Sequence, residues 1–196
     1  MQKISVMDVD NNKETPSKKP LRYHETLNAF CDVIAEYYYE CEIDVYRTAV
    51  CNPPTDFDIT PTRRRHIGTQ GSELPFIYTQ EEVDLMNDDE KKVEVGHDAV
   101  SVHCTEEKAI MEARRAAASF AKTHTEEETT AYKNKQRGIF LVKLHVTPEH
   151  ALVSKKFHKS TGHGGLLLRE GVTINDILDK DYEIKEFKYD ENEDKQ

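Results

Sequence analysis

The segment from Asp98 to Ala109 constrains the fold more than any other part of the chain, because it predicts a buried strand that runs straight into a helix. Val100, Val102 and Cys104 alternate with polar residues, which is the pattern of a strand with one face toward a core. Thr105 then stands where the N-cap of the following helix is expected. The apolar face of that helix consists mainly of small side chains and should pack close to a sheet (Ala109, Ile110, Ala113, Ala116, Ala117 and Phe120).

Helical spacing and capping patterns predict three further helices. Apolar residues recur at helical spacing from Leu21 to Tyr39 and give one stripe that faces the core. The pattern Thr79-Gln-Glu-Glu82 is typical of a capping box and opens a short acidic helix that ends near Glu90. A second capping pattern, Thr173-Ile-Asn-Asp176, predicts a helix of about one or two turns.

The remaining patterned segments predict strands. Ile43–Val50 and Gly138–Val146 are the clearest, Leu152–Val153 and Leu166–Leu168 are shorter apolar runs, and Tyr182–Tyr189 alternates like an edge strand. Prolines make residues 52–75 irregular, and residues 124–135 are predicted to be a polar linker. The order of helices and strands is that of an α+β chain and lacks a regular βαβ repeat.

The length of 196 residues predicts one domain over residues 21–189, with a disordered N-terminal segment at 1–20 and an acidic tail at 190–196. The net charge of −10 argues against unspecific binding to nucleic-acid phosphates. Residues 1–9 lack the apolar run of a signal peptide, and no stretch has the composition of a membrane span. We therefore expect a cytoplasmic protein with no membrane partner.

The cysteines and histidines do not follow a metal-binding pattern. The chain has four cysteines, of which Cys31, Cys41 and Cys51 lie at a spacing that matches no zinc motif. Together with Cys104 they are interpreted as reduced, mostly buried thiols. No metal site is expected among the 9 histidines either.

Arg47, Ser101, His103, Lys159 and His163 are the candidate functional residues. Arg47 is a charged residue within an apolar strand, so its side chain either points outward or is held by a partner. Its guanidinium would also suit a pyrophosphate group. Ser101 and His103 share one strand face, which is either a solvent face or a ligand site. Lys159 and His163 flank a turn before Gly164-Gly165, where backbone can approach a ligand closely, although an ordinary loop is the alternative.

The basic cluster Arg63-Arg64-Arg65-His66 lies in the proline-flanked part of the irregular segment. It is interpreted either as a solvated loop, as an ion-pair partner for the acidic helices, or as a phosphate site.

These segments together resemble the NAD-binding core of the ADP-ribosyltransferases. The resemblance rests on Tyr46-Arg47 in the first strand, on Ser101-Val-His-Cys-Thr105 before a helix, and on a late pair of strands. The RNA 2′-phosphotransferase branch is locally the most similar, through the same strand and through Phe157-His-Lys-Ser160 before Leu166-Leu-Leu168. The resemblance implies a split antiparallel β-sheet core with flanking helices and NAD as a substrate.

The resemblance also implies a role for each candidate residue. Arg47 would contact the phosphates or ribose of NAD, and His103 would lie against the cofactor with Ser101 beside it. Lys159 would replace an arginine that meets the reacting phosphate or the ADP-ribose. Arg47, His103 and Lys159 are then the catalytic candidates, and the cofactor-binding candidates are those that line the NAD site (Tyr46, Arg47, Ser101, His103 and His163).

Three functions follow from these observations. The first is an NAD-dependent ADP-ribosyltransferase acting on nucleic acid or protein, which in this superfamily is often a toxin or anti-phage effector with an antitoxin or other protein partner. The second is an RNA 2′-phosphotransferase. The third is a binding module with a degenerate transferase fold that meets a basic partner through its acidic surface, which includes Glu81, Glu82, Asp88, Asp89 and Glu90. It is suggested by the net charge and by the absence of the third-motif glutamate of many transferases near Gly164-Gly165.

Overall fold

A single antiparallel sheet forms the centre of the protein. The computed structural model describes residues 18–65 and 77–189. The strands are β1 Tyr38–Tyr39, β2 Ile43–Ala49, β3 Val100–His103, β4 Phe140–Val146, β5 Ala151–Ser154, β6 His163–Leu168 and β7 Lys185–Glu186. In the described part of the chain they pair in the order β1-β5-β6-β3-β2-β4-β7, and every pairing is antiparallel. The α+β class predicted from the order of elements is therefore confirmed.

The sheet consists of two well-paired parts that meet at one point. β2 pairs with β4 along its whole length, from Ile43 opposite Val146 to Ala49 opposite Phe140. β3 pairs in the same continuous way with β6. Between β2 and β3, however, the register contains only the pair Tyr46 and His103. The two central strands thus leave a gap beyond this pair, next to Arg47 and Ser101.

Helices and short turns surround this sheet. They are α1 His24–Leu27, a 3-10 turn at Asn28–Phe30, α2 Cys31–Tyr37, α3 Thr62–Arg65, α4 Gln80–Leu85, α5 Asp88–His97, α6 Glu106–Ala121, α7 Glu126–Tyr132, a π-helical turn at Lys133–Arg137, and α8 Ile174–Ile177. None of the described helices has the length and apolar character needed to cross a membrane.

Apolar side chains pack on both faces of the sheet. On one face, aliphatic side chains of all the long strands form the largest core cluster, which includes Val45, Val102, Leu144 and Leu166. On the other face, Ala109 and Ala113 of α6 pack with Leu141. The small residues of α6 therefore do allow the close helix-to-sheet packing that the sequence predicts.

Several predicted elements have different bounds. The helix predicted from Leu21 to Tyr39 is divided into α1, the 3-10 turn and α2, and its last two residues form β1. The acidic helix predicted at residues 79–90 is two helices, because Asn87 and Glu90 form a second capping box. The residues predicted to be a polar linker form α7, which is capped by Thr125 and Glu128.

Two further predictions need correction. All four cysteines are free, but Cys31 and Cys51 are exposed, so the prediction of mostly buried thiols is wrong for them. The irregular segment contains one helical turn, α3, directly after Pro61. A proline is compatible with the start of a helix because the first turn needs no amide donor there.

The predicted disordered termini fall mainly outside the described residues, at 1–17 and 190–196. Residues 18–20 contact the domain: the carbonyl of Pro20 accepts a hydrogen bond from Glu170 at 2.8 Å, and that of Lys19 accepts one from Arg169 at 2.8 Å.

Candidate functional site

Arg47 fills the gap between β2 and β3. Its side chain is buried, and its guanidinium donates to the backbone carbonyls of Asp58 and Ser101. Arg47 therefore does not point outward into solvent, which is the default prediction for a charged residue in a strand, but is held by partners. Burial, followed by the neighbouring charge of Arg65, lowers the pKa of Arg47 to about 9, so the guanidinium stays charged at neutral pH.

The loop after β2 supplies the carbonyl that Arg47 needs. The Asp58 carboxylate is buried and accepts hydrogen bonds from the backbone amides of Val50 at 2.7 Å and Thr55 at 2.9 Å. Because these amides fold the loop around the carboxylate, the Asp58 carbonyl is held toward the sheet. Arg65 donates to the same carbonyl at 3.1 Å, which brings two guanidinium groups together.

The arginines of the basic cluster have separate roles. Arg64 forms a buried ion pair with Asp98, at 2.7 and 2.9 Å, and also donates to Thr26. Arg65 lies over the ring of Phe57 at 4.6 Å and reaches the carbonyl of Gln136 at 3.2 Å. Arg64 is therefore an ion-pair partner, but its partner is Asp98 at the end of α5 and not a carboxylate within the acidic helices, whereas Arg65 lies at the gap in the sheet. His66 lies outside the described residues.

A third arginine approaches the same place from the other side. Arg137 ends the π-helical turn after α7, and its Nε donates to the hydroxyl of Tyr132 at 2.6 Å. Its guanidinium lies 5.5 Å from the centre of the Tyr132 ring. The end of α7 and the turn after it therefore place the Arg137 guanidinium and the Tyr132 ring in direct contact.

The three arginines border a cavity of about 110 Å³. The other residues around it are Thr48, Phe57, Ser101, His103, Tyr132 and Gln136. The nearby Asp58 carboxylate carries one negative charge, so it offsets only part of the charge of the three arginines. A protein with a net charge of −10 thus concentrates positive charge in one concave place, which suits an anionic ligand.

His103 contributes an unsatisfied polar group to this cavity. Its side chain is 8% exposed, and neither ring nitrogen has a hydrogen-bond partner among the described residues. Burial, followed by the neighbouring His163 and then by the positive charge of Arg47 and Arg137, lowers the pKa of His103 to about 4. The neutral ring can donate one hydrogen bond and accept one, and a buried group with this capacity ordinarily has partners.

A second cavity, of about 360 Å³, lies on the other side of Ser101. His163 borders it, with Nε2 at 3.0 Å from the Ser101 hydroxyl and its ring at 5.6 Å from that of His103. Partial burial lowers the pKa of His163 as well. Gly164 is required here, because a Cβ atom at that position would lie 2.6 Å from the ring of Phe157. Ser101 borders both cavities, and the two cavities together are called the cleft below.

Four of the predicted site residues therefore lie together: Arg47, Ser101, His103 and His163. Tyr46 pairs with His103 across the strands but packs against Tyr182 at a ring distance of 6.1 Å and borders neither cavity. Lys159 is exposed and also borders neither cavity, and its carbonyl accepts a hydrogen bond from Lys108 at 3.0 Å.

The structure adds residues that the motifs did not indicate. Phe57, Tyr132 and Arg137 border the arginine cavity. Only the capping pattern at Thr125 and Glu128 signalled the helix that places Tyr132 and Arg137, and no pattern indicated Phe57. Glu112 of α6 acts on both histidines, since its charge opposes the lowering of their pKa. The carboxylate of Glu112 is itself held by Arg115, at 2.6 and 2.9 Å.

The described residues contain no group of three or more His, Cys, Asp or Glu side chains placed to hold a metal ion. Comparison of the chain with models of protein families, with curated proteins and with solved structures finds no match. The functional interpretation therefore depends on the side chains of the cleft.

Proposed function

We propose that the protein has an ADP-ribosyltransferase-like fold, binds NAD in the cleft between β2 and β3, and transfers the ADP-ribosyl group to a nucleic-acid or protein acceptor. One observation carries this proposal: three arginines surround a cavity that also contains the unpaired, neutral ring of His103. NAD has matching groups, namely a diphosphate for the arginines and ribose hydroxyls or an amide for the imidazole.

The arginines differ in what they can offer the diphosphate. Arg47 is committed to two carbonyls and acts mainly through its charge at the base of the cavity. Arg137 is more exposed and has one hydrogen bond to Tyr132, so its remaining N–H groups are available to phosphate oxygens. Phe57 is exposed and carries Arg65 over its ring at 4.6 Å, whereas the ring of Tyr132 is stacked on Phe120 at 4.2 Å. Phe57 is therefore the ring at this cavity that a planar group can approach.

The proposed chemistry needs positioning more than a strong nucleophile on the protein. Cleavage of the nicotinamide–ribose bond passes through an oxocarbenium-like state, in which positive charge develops on the sugar. Arginines that hold the diphosphate and a histidine that holds the sugar would fix this geometry. Glu112 is the carboxylate that acts on the histidine pair, and it can offset part of the developing charge.

Nicotinamide release tests the proposal directly. Purified protein is incubated with NAD, and free nicotinamide and transfer of labelled ADP-ribose to RNA and protein in a lysate are measured. We expect Arg47→Ala and His103→Ala to reduce release by at least about 100-fold, because each removes a group that positions the substrate. His145→Ala, which changes a partly exposed histidine on β4 that borders neither cavity, is the matched control and should retain activity. Absence of nicotinamide release by the unmodified protein would refute the proposal.

The variant Lys159→Ala is expected to lose different amounts of activity according to the family resemblance and according to the structure. The resemblance assigns Lys159 to the reacting phosphate, so its loss should abolish activity. The exposed position of Lys159, outside both cavities, instead favours a loss of less than about threefold.

A binding module is the second candidate, and the position of Lys159 favours it. If Lys159 is not available to the ligand, the cleft binds an anion but lacks one proposed catalytic cation. Calorimetry that detects NAD binding, together with no nicotinamide release, would establish this function instead of the transferase.

The RNA 2′-phosphotransferase remains a candidate because Arg65 and Arg137 offer charge to a second phosphate beside the NAD site. A 2′-phosphorylated oligonucleotide tests it: loss of the phosphate with consumption of NAD supports this activity, and labelling of a different acceptor excludes it. A role as a toxin or anti-phage effector, with an antitoxin as partner, would follow only from the transferase.

A further inference from the structure

We propose that Ser101 is a nucleophile of the cleft and accepts the ADP-ribosyl group itself, so that the protein is modified at its own site. This inference rests on the proposed use of NAD and adds the acceptor: a serine hydroxyl, activated by His163, at the junction of the two cavities.

The position of Ser101 is fixed by the backbone around it. Its carbonyl accepts a hydrogen bond from Arg47, and it lies opposite Gly165 in the register of β3 and β6. A strand residue held on both sides has little freedom except rotation of its hydroxyl group. Because Gly165 has no side chain, nothing from the opposite position covers the Ser101 oxygen.

His163 stands where a general base is needed. It lies on the strand next to Ser101, with Nε2 at 3.0 Å from the hydroxyl oxygen, which is hydrogen-bond distance for proton transfer. Its ring is partly buried and its pKa is lowered, so the imidazole is neutral at neutral pH and can accept a proton. His103 packs edge-on against this ring at 5.6 Å and limits its movement.

The other serines near the cleft do not share this arrangement. Ser154 borders the second cavity, but its hydroxyl donates to the carbonyl of Gly165 at 3.2 Å and accepts from its amide at 2.8 Å. Ser160 pairs with a histidine too, at 3.1 Å from Nδ1 of His158, but it is exposed and borders neither cavity. Ser160 and His158 therefore provide a natural comparison with the same chemistry outside the cleft.

The proposed step is balanced without any further reactant. The Ser101 oxygen forms a bond to the anomeric carbon of the NAD ribose while the bond from that carbon to the nicotinamide nitrogen breaks. The bonding electrons leave with nicotinamide, which becomes neutral, and the serine proton passes to Nε2 of His163. Neither oxidation nor reduction occurs.

The test uses the full-length protein, NAD and two separate measurements. Nicotinamide release reports the proposed function, and intact-protein mass with peptide mapping reports the acceptor. We expect one ADP-ribosyl group per chain, located on Ser101. Ser101→Ala should abolish the adduct, Ser160→Ala should leave it unchanged, and His163→Gln should slow its formation by about 100-fold. Ser101→Thr keeps a hydroxyl in a strand that tolerates β-branched residues and should retain an adduct.

The outcomes separate the inference from the proposed function. Nicotinamide release with no adduct, or with an adduct that persists in Ser101→Ala, overturns the inference and leaves the transferase function intact. Absence of nicotinamide release overturns both. If Ser101→Ala fails to fold, the mapped position in the unmodified protein decides the question.

Discussion

At the scale of single residues, Arg47 is the clearest case of a side chain placed at a cost to stability. Its charge is buried, and it donates to two backbone carbonyls, of which that of Asp58 also accepts from Arg65. Arg47→Lys keeps the charge but loses the planar group that reaches both carbonyls. We expect the free energy of unfolding, measured in urea, to fall by about 2–3 kcal/mol.

Arg115→Lys is the control for this change. Arg115 is an exposed arginine paired with Glu112 on the surface of α6, so its replacement should alter stability by less than about 0.5 kcal/mol. Equal effects of the two substitutions would show that the carbonyl contacts of Arg47 contribute nothing to stability.

His103 gives the protein a predictable response to acid. Burial lowers its pKa to about 4 from the ordinary value of 6.5, so the unfolded chain binds a proton at this site more readily than the folded protein. The stability from His103 is therefore complete above pH 6.5 and falls as the pH is lowered toward 4. The total loss attributable to this group is on the order of 3 kcal/mol.

His103→Gln should flatten this part of the pH profile, because glutamine does not titrate. Urea unfolding at intervals across the acid range measures the effect as a difference in slope between the two proteins. Parallel profiles for both would contradict a buried neutral imidazole at this position. Buffers without phosphate are needed, since an anion in the cavity would change the pKa of His103.

The sequence predicted part of the site because alternation along a strand is a local property. Ser101 and His103 are two residues apart in β3, so their common face followed from spacing alone. The direction of Arg47 did not, since it depends on the gap between β2 and β3 and on the carbonyl of Asp58. Glu112 lies on a helix whose rotation is set by packing, so no motif indicated it.

At the scale of elements, α7 and its π-helical turn determine where Tyr132 and Arg137 stand. The polar composition of this segment favoured a linker, yet Thr125 and Glu128 have the spacing of a capping box. The capping pattern therefore predicted this helix better than the composition did, because capping residues bond directly to the backbone at the start of a helix. Weak hydrophobic periodicity is expected for a helix with few buried residues.

Thr125→Ala should loosen this element. The substitution removes the hydroxyl that accepts from the backbone amide of Glu128, and we expect the free energy of unfolding to fall by about 1 kcal/mol. Hydrogen exchange should increase over residues 126–137, and activity or ligand affinity should fall because Tyr132 and Arg137 lose their support. Thr130→Ala, in an exposed position of the same helix, is the control and should be neutral or slightly stabilising. A similar increase in exchange for both variants would show that the cap does not hold the helix.

At the scale of the whole molecule, charge is distributed unevenly. The chain carries a net charge of −10, while Arg47, Arg65 and Arg137 surround one small cavity. Composition alone therefore predicts repulsion of anions by the molecule as a whole but cannot locate the exception. The exception arises from the fold, which brings together a strand, the loop after it and the turn that follows α7.

Pyrophosphate should stabilise the protein through this cavity, at constant ionic strength so that general screening does not change. A ligand that binds only the folded state adds about 1.4 kcal/mol at ten times its dissociation constant, which thermal unfolding can detect. The effect should be lost in the double variant Arg65→Gln, Arg137→Gln, because both remove charge at the edge of the cavity. It should persist in Lys135→Gln, an exposed position on the same π-helical turn that does not border the cavity. Equal stabilisation of all three proteins would place the anion elsewhere and would remove the electrostatic basis for NAD binding in the cleft.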